Sequence, residues 1–208
     1  MLDTEVLARS APRALDVVTP LGQVRFTVRV GDWDVPARPE LTWSLESGAR
    51  LCRWRSDSAR LDVLGGTTAS GLPGVTRETT ILRVLAREDV SAFVVRAELA
   101  GAPQQEERTW ESAFTAETDD AVVSVGGPGA DLLRRCSRAG QHVPPYWSRL
   151  VGGDAVERTG GRLAWRLPRI DRGDYAELWV SVAWSAPGGD PGRAVDVDAA
   201  RVLRELTQ

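Results

Sequence analysis

Gln23-Val24-Arg25-Phe26-Thr27-Val28-Arg29-Val30 is the stretch that decides the fold class of this chain. Val24, Phe26, Val28 and Val30 fall on one face, and Gln23, Arg25, Thr27 and Arg29 on the other. Strict alternation of this kind signals a strand with one side buried and one side wet. Leu15 to Thr19 precedes it, joined through the turn Thr19-Pro20-Leu21-Gly22. Gly31-Asp32-Trp33-Asp34 follows as a second turn, and a loop carrying Pro36 and Pro39 leads onward.

The same period continues outward from there. Leu41, Trp43 and Leu45 alternate with polar residues, and residues 50–55 oppose Cys52 and Trp54 to Leu51, Arg53 and Arg55. A short strand over 60–64 ends at Gly65-Gly66. Residues 79–86 and 91–99 read as a hairpin through Arg87-Glu88-Asp89-Val90. Strands are further expected at 108–116, 121–125, 161–167 and 175–184, the last with Ala176, Leu178, Val180, Val182 and Trp184 in phase. Residues 131–136 predict a short helix. A second helix is expected at 196–206, capped by Asp196 or Asp198 and anchored by Val202, Leu203 and Leu206. About ten short strands with almost no helix between them predict an all-β antiparallel β-sandwich with a short C-terminal helix. The expected organisation is one domain over 1–208, with a loop-rich excursion at 126–160.

Composition bounds the function. Apolar residues make up 42% of the 208 and charged residues 26%, the balance of a globular domain with an ordinary core. All 26 basic residues are Arg; Lys and Asn are absent. Lysine Schiff bases and a P-loop lysine are therefore excluded. The net charge of −3 is spread along the chain, which argues against nucleic acid as a partner, since that affinity rests on clustered cations. No apolar run approaches the roughly 20 residues of a membrane span. The N-terminus lacks a basic start and apolar core, so a cytoplasmic location is the expectation. Cys52 and Cys136 are the two cysteines and read as reduced core thiols.

Catalytic kits are sparse. One His and two Cys fall short of a zinc set, no Gly-x-Ser-x-Gly elbow occurs, and no glycine-rich phosphate loop opens a helix. No metal or cofactor is expected. Asp32 and Asp34 flank Trp33 and read as turn formers rather than calcium ligands. Among the tryptophans, Trp43, Trp54, Trp165 and Trp184 share strand faces with aliphatic residues or Cys and are expected in the core. Arg25/Arg29, Arg53/Arg55 and Arg83 mark outward strand faces, either as a cationic patch or as cross-strand partners of Asp and Glu.

Two places carry candidate binding residues. Gln141 to Arg149 gathers His142, Tyr146, Trp147 and Arg149 in a loop stiffened by Pro144 and Pro145, and binding residues concentrate on such loops. Tyr175 and Trp179 lie on the polar phase of the late strand, where the C-terminal helix or the 140s loop could cover them. Trp, Tyr and Arg are the types enriched at binding hot spots. The expected function is a non-catalytic interaction or assembly module for a protein partner or for self-association. A carbohydrate-binding sandwich stacking these aromatics on sugar rings is the alternative. An enzyme of lyase or isomerase type centred on His142 is the third reading.

Arg77 to Gly101, reading RETTILRVLAREDVSAFVVRAELAG, resembles the hairpin of β-sandwich domains that accompany polysaccharide lyases of the heparinase II/III type. The resemblance spans about an eighth of the chain. It implies a sandwich only, because the helical toroid that carries those enzymes' catalytic residues would not fit in this length.

Overall fold

The computed structural model describes residues 14–100, 112–129 and 155–208. Thirteen strands in them form two sheets, and every pairing is antiparallel. The strands are β1 (Val17–Thr19), β2 (Gly22–Val30), β3 (Trp33–Asp34), β4 (Leu41–Ser44), β5 (Arg50–Arg55), β6 (Ala59–Thr68) and β7 (Thr76–Ala86), followed by β8 (Phe93–Ala100), β9 (Ala113–Glu117), β10 (Val122–Gly126), β11 (Val156–Thr159), β12 (Arg162–Leu167) and β13 (Tyr175–Ser185). The six-stranded sheet runs β1-β2-β8-β12-β11, with β3 sharing β2. The seven-stranded sheet runs β4-β5-β6-β7-β13-β10-β9. A 3-10 helix over Pro191–Val195 and the helix α1 (Ala199–Thr207) close the chain. The all-β antiparallel sandwich with a C-terminal helix is the architecture that the alternating pattern predicts.

One core lies between the sheets. Val24, Phe26, Val28 and Val30 of β2 are buried there, as the first strand's alternation requires, together with Phe93, Val95 and Ala97 of β8 and Leu178, Val180 and Val182 of β13. Trp54 and Trp165 are almost fully buried, and each indole N–H finds a backbone acceptor, Pro36 O at 2.9 Å and Pro128 O at 3.2 Å. These bonds remove the cost of burying the indole's one polar group. The backbone comes close to the second of these rings: a Cβ on Gly127 would lie 2.8 Å from Trp165 Cζ2.

Several expectations change. Residues 79–86 and 91–99 do not pair as a hairpin: β7 lies between β6 and β13, while β8 lies between β2 and β12 in the other sheet. The connection over 87–92 is a crossover, tied by the antiparallel bridge between Val90 and Ile170. Periodicity is the same for a hairpin and for two strands that face each other across a core, so it could not tell them apart. Trp43 is not a core residue. β4 is an edge strand whose four residues are all exposed, and Trp43 keeps 39% of its surface. Trp184 is only partly buried, packed against the core. The short strands β3 and β11 and the 3-10 helix, too brief to show a period, add to the expected set. The helix expected at 131–136, Cys136 and most of the 126–160 excursion lie outside the described residues. Among the described residues, no helix is long and apolar enough to cross a membrane.

The C-terminal segment makes a third layer on the outer face of the seven-stranded sheet. Register aligns Trp43, Leu51, Leu64, Ile81 and Trp179 in one outward row across β4, β5, β6, β7 and β13. Val202 and Leu206 of α1 bury this row's centre together with Ala49. Asp198 caps the helix, its carboxylate accepting from Ala200 N at 2.9 Å and Arg201 N at 3.2 Å. Ser47 donates to Leu206 O at 2.7 Å, and Ala69 N donates to Glu205 Oε2 at 3.1 Å. Buried Arg77 completes the attachment, donating to Thr68 Oγ1 at 2.8 Å, to Ala194 O at 3.1 Å and to Ala69 O.

Candidate functional site

The outer face of the six-stranded sheet has no such layer among the described residues. Its outward positions form three registered rows: Arg25, Glu98 and Arg162; then Thr27, Arg96 and Ala164; then Arg29, Val94 and Arg166. The strands put these side chains outward because their neighbours in sequence fill the core. Between the first two rows lies a concavity of about 610 Å³, bounded by Asp16 and Gln23 at one side and by Glu157 and Thr159 of β11 at the other.

Hydrogen bonding sorts these charges into satisfied and available groups. Arg162 Nη2 donates to Glu98 Oε1 at 2.7 Å. Asp16 accepts from Gln23 Nε2 at 2.9 Å and from Phe26 N at 3.2 Å, so it covers part of the β2 edge that β1 and β3 leave bare. Arg29 lies 3.5 Å from Asp32. Arg25, Arg96 and Arg166 are exposed and form no ion pair with any described residue. These three lie on a diagonal, one per strand and one per row. Diagonal neighbours on adjacent antiparallel strands are about 7–8 Å apart.

The sequence-predicted site residues are not brought together. Trp179 is half-buried and packs against both the main core and the apolar cluster under α1. Tyr175, four residues earlier on β13, stays exposed at 39%, with the Arg83 guanidinium 5.6 Å from its ring centre. Trp43 makes a matching contact with Arg53 at 5.3 Å. Both arginines also pair across strands, Arg53 with Asp62 and Arg83 with Glu177, so on this sheet the cross-strand reading of the Arg rows holds. β2 and β5 lie in different sheets, so Arg25/Arg29 and Arg53/Arg55 do not form one patch. His142, Tyr146, Trp147 and Arg149 lie outside the described residues. Among the described residues, no group of His, Cys, Asp and Glu is arranged to hold a metal.

Arg96 and Arg166 are the residues that sequence reasoning missed. Their signal was present, since each occupies a polar position in an alternating strand. Which strands lie side by side was not present, and adjacency is what turns scattered arginines into a line.

The fold and this surface define the class: an all-antiparallel two-sheet sandwich with one outer face covered by its own C-terminus and the other bearing a charged concavity. No protein-family model and no curated protein matches the chain. Among solved structures it is similar to a putative kojibiose phosphorylase from human microbiome, at 7% identity and a TM-score of 0.46, over 89% of this chain. The chain spans only 25% of that protein's length, and a likeness this distant carries no argument about activity.

Proposed function

We propose that this domain is a non-catalytic interaction module, and that its binding surface is the outer face of the six-stranded sheet. The observation that carries the reading is the diagonal of guanidiniums, Arg25, Arg96 and Arg166, that form no ion pair with any described residue. An extended peptide places side chains of one face about 6.8 Å apart, two residues at 3.4 Å each. That spacing matches the diagonal, so the partner that fits is an extended acidic segment of another protein, its alternate carboxylates meeting successive arginines. Arg suits this role because its planar fork takes a carboxylate through two hydrogen bonds. Among the described residues no aromatic side chain lines the concavity, which favours carboxylate recognition there over sugar stacking.

The test is fluorescence anisotropy with a labelled peptide of alternating Asp and Ser. A peptide of the same composition with its Asp residues in one block serves as the control. The wild-type domain is expected to bind the alternating peptide more tightly, with affinity falling as salt rises. The double variant R25E/R96E should abolish binding with an unchanged circular dichroism spectrum. Equal binding of the two peptides, or full affinity in the double variant, would remove this face from consideration.

A further inference from the structure

The inward face of β5, β6 and β7 turns polar toward one end of the sandwich. Cys52, Val63 and Leu82 form a buried row there. The next rows in the same phase are Arg50, Gly65 and Thr80, and then Thr67 and Glu78. With Ala14 to Val17 approaching from the other sheet, all of these residues but Leu82 line a cleft of about 180 Å³. No side chain projects into it from Gly65, where an added Cβ would meet Thr80 Oγ1 at 3.4 Å and Thr79 O at 3.9 Å.

The charges in this cleft are unusual. Glu78 is half-buried and Arg50 exposed, and neither makes a hydrogen bond or ion pair with a described residue. Burial raises the Glu78 carboxyl above its ordinary value, with the Arg50 charge opposing. β6 separates the two strands that carry them, and Glu78 lies one row beyond Arg50, so the two positions are two strand spacings apart across the sheet and two residues apart along it, about 12 Å in all. The two opposite charges thus line one cleft without forming an ion pair with each other. Asp16 and Cys52 are the other titratable groups on its walls, and Asp16 is already engaged by Gln23 and the Phe26 N–H.

We propose that this cleft binds a small zwitterion of the amino-acid class, its carboxylate on Arg50 and its protonated amine on Glu78. The Thr67 and Thr80 hydroxyls supply further hydrogen bonds, and Leu15 and Val63 contact the methylenes between the charged ends. This site is independent of the arginine diagonal, which lies on the outer face of the other sheet.

The experiment is a calorimetric titration of the whole domain with glycine, β-alanine and 4-aminobutyrate, which step the charge separation. Propionate, propylamine and glycerol serve as half-ligands and neutral control. At least one zwitterion should bind about tenfold or more tighter than every control. E78Q and R50Q should each lose about tenfold or more of that affinity, and R25A should keep it. Folding does not confound E78Q. A carboxyl whose native pKa is raised destabilises the fold as pH climbs past its unfolded value, so the amide should melt at or above the wild-type temperature at neutral pH and alike in acid. Failure of all three zwitterions to bind, equal binding of any control, or undiminished binding by E78Q would each overturn the proposal.

Discussion

On the seven-stranded sheet, the outward row Trp43, Leu51, Leu64, Ile81 and Trp179 is apolar and its centre lies beneath α1. On the six-stranded sheet, the outward row Arg25, Glu98 and Arg162 is charged and has no covering layer among the described residues. Both faces come from strands that alternate, and both sheets share one core. The difference teaches that alternation marks two faces without saying that the second one meets water. A sheet can be buried on both sides when a later segment of the chain supplies a third layer.

Substitutions on the two faces should therefore differ in kind. The largest effect is expected from L206A, which empties the contact between α1 and the apolar row and should cost about 3 kcal/mol in urea denaturation. R77M comes next. It strands the Ala194 and Ala69 carbonyls and Thr68, and should cost about 2 kcal/mol. Lys at that position would restore the charge but not the three-way fork, so R77K should recover only part of the loss. D198A removes the helix cap and should cost about 1 kcal/mol by the same measurement.

A smaller effect depends on pH. Burial raises the Glu205 carboxyl, but the Ala69 N–H and Arg201, with Arg77 nearby, outweigh it and hold the group below its ordinary value. A carboxylate with a lowered native pKa adds stability that is complete above its unfolded value, near 4.5, and is lost as pH falls through the native one. Melting curves of wild type and E205Q should differ at neutral pH and converge in acid. The smallest effect should come from R25A and R96A, which leave stability within about 0.5 kcal/mol while weakening acidic-peptide binding. If either costs as much as L206A, the two faces are alike and the comparison fails.

Much of the fold was legible from residue periods. β2, β5 and β13 stand within one residue of where their alternation puts them, and α1 is anchored by Val202 and Leu206 as its spacing implies. Asp198 and not Asp196 is the cap, a choice the sequence left open. The site was less legible. Tyr175 and Trp179 share a strand phase, yet Trp179 packs against the apolar cluster under α1 while Tyr175 stays exposed, because α1 lies over β6 and β7 and only Trp179 adjoins that cluster. Arg25 was visible as an outward residue, but its relation to Arg96 and Arg166 depends on strands that are distant in sequence.

By itself the sequence determined the local periods: which residues point the same way along each strand, where Gly, Pro and Asp interrupt them, and which chemistries lack their residues. Those follow from backbone geometry within a few residues. Only the tertiary structure decided that β7 and β8 part into different sheets, that one outer face is covered, and that Arg50 and Glu78 stand diagonally across β6 at the rim of one cleft. Such outcomes depend on which strands find each other across the chain, and pairing energy is spread over many residues that no single window contains.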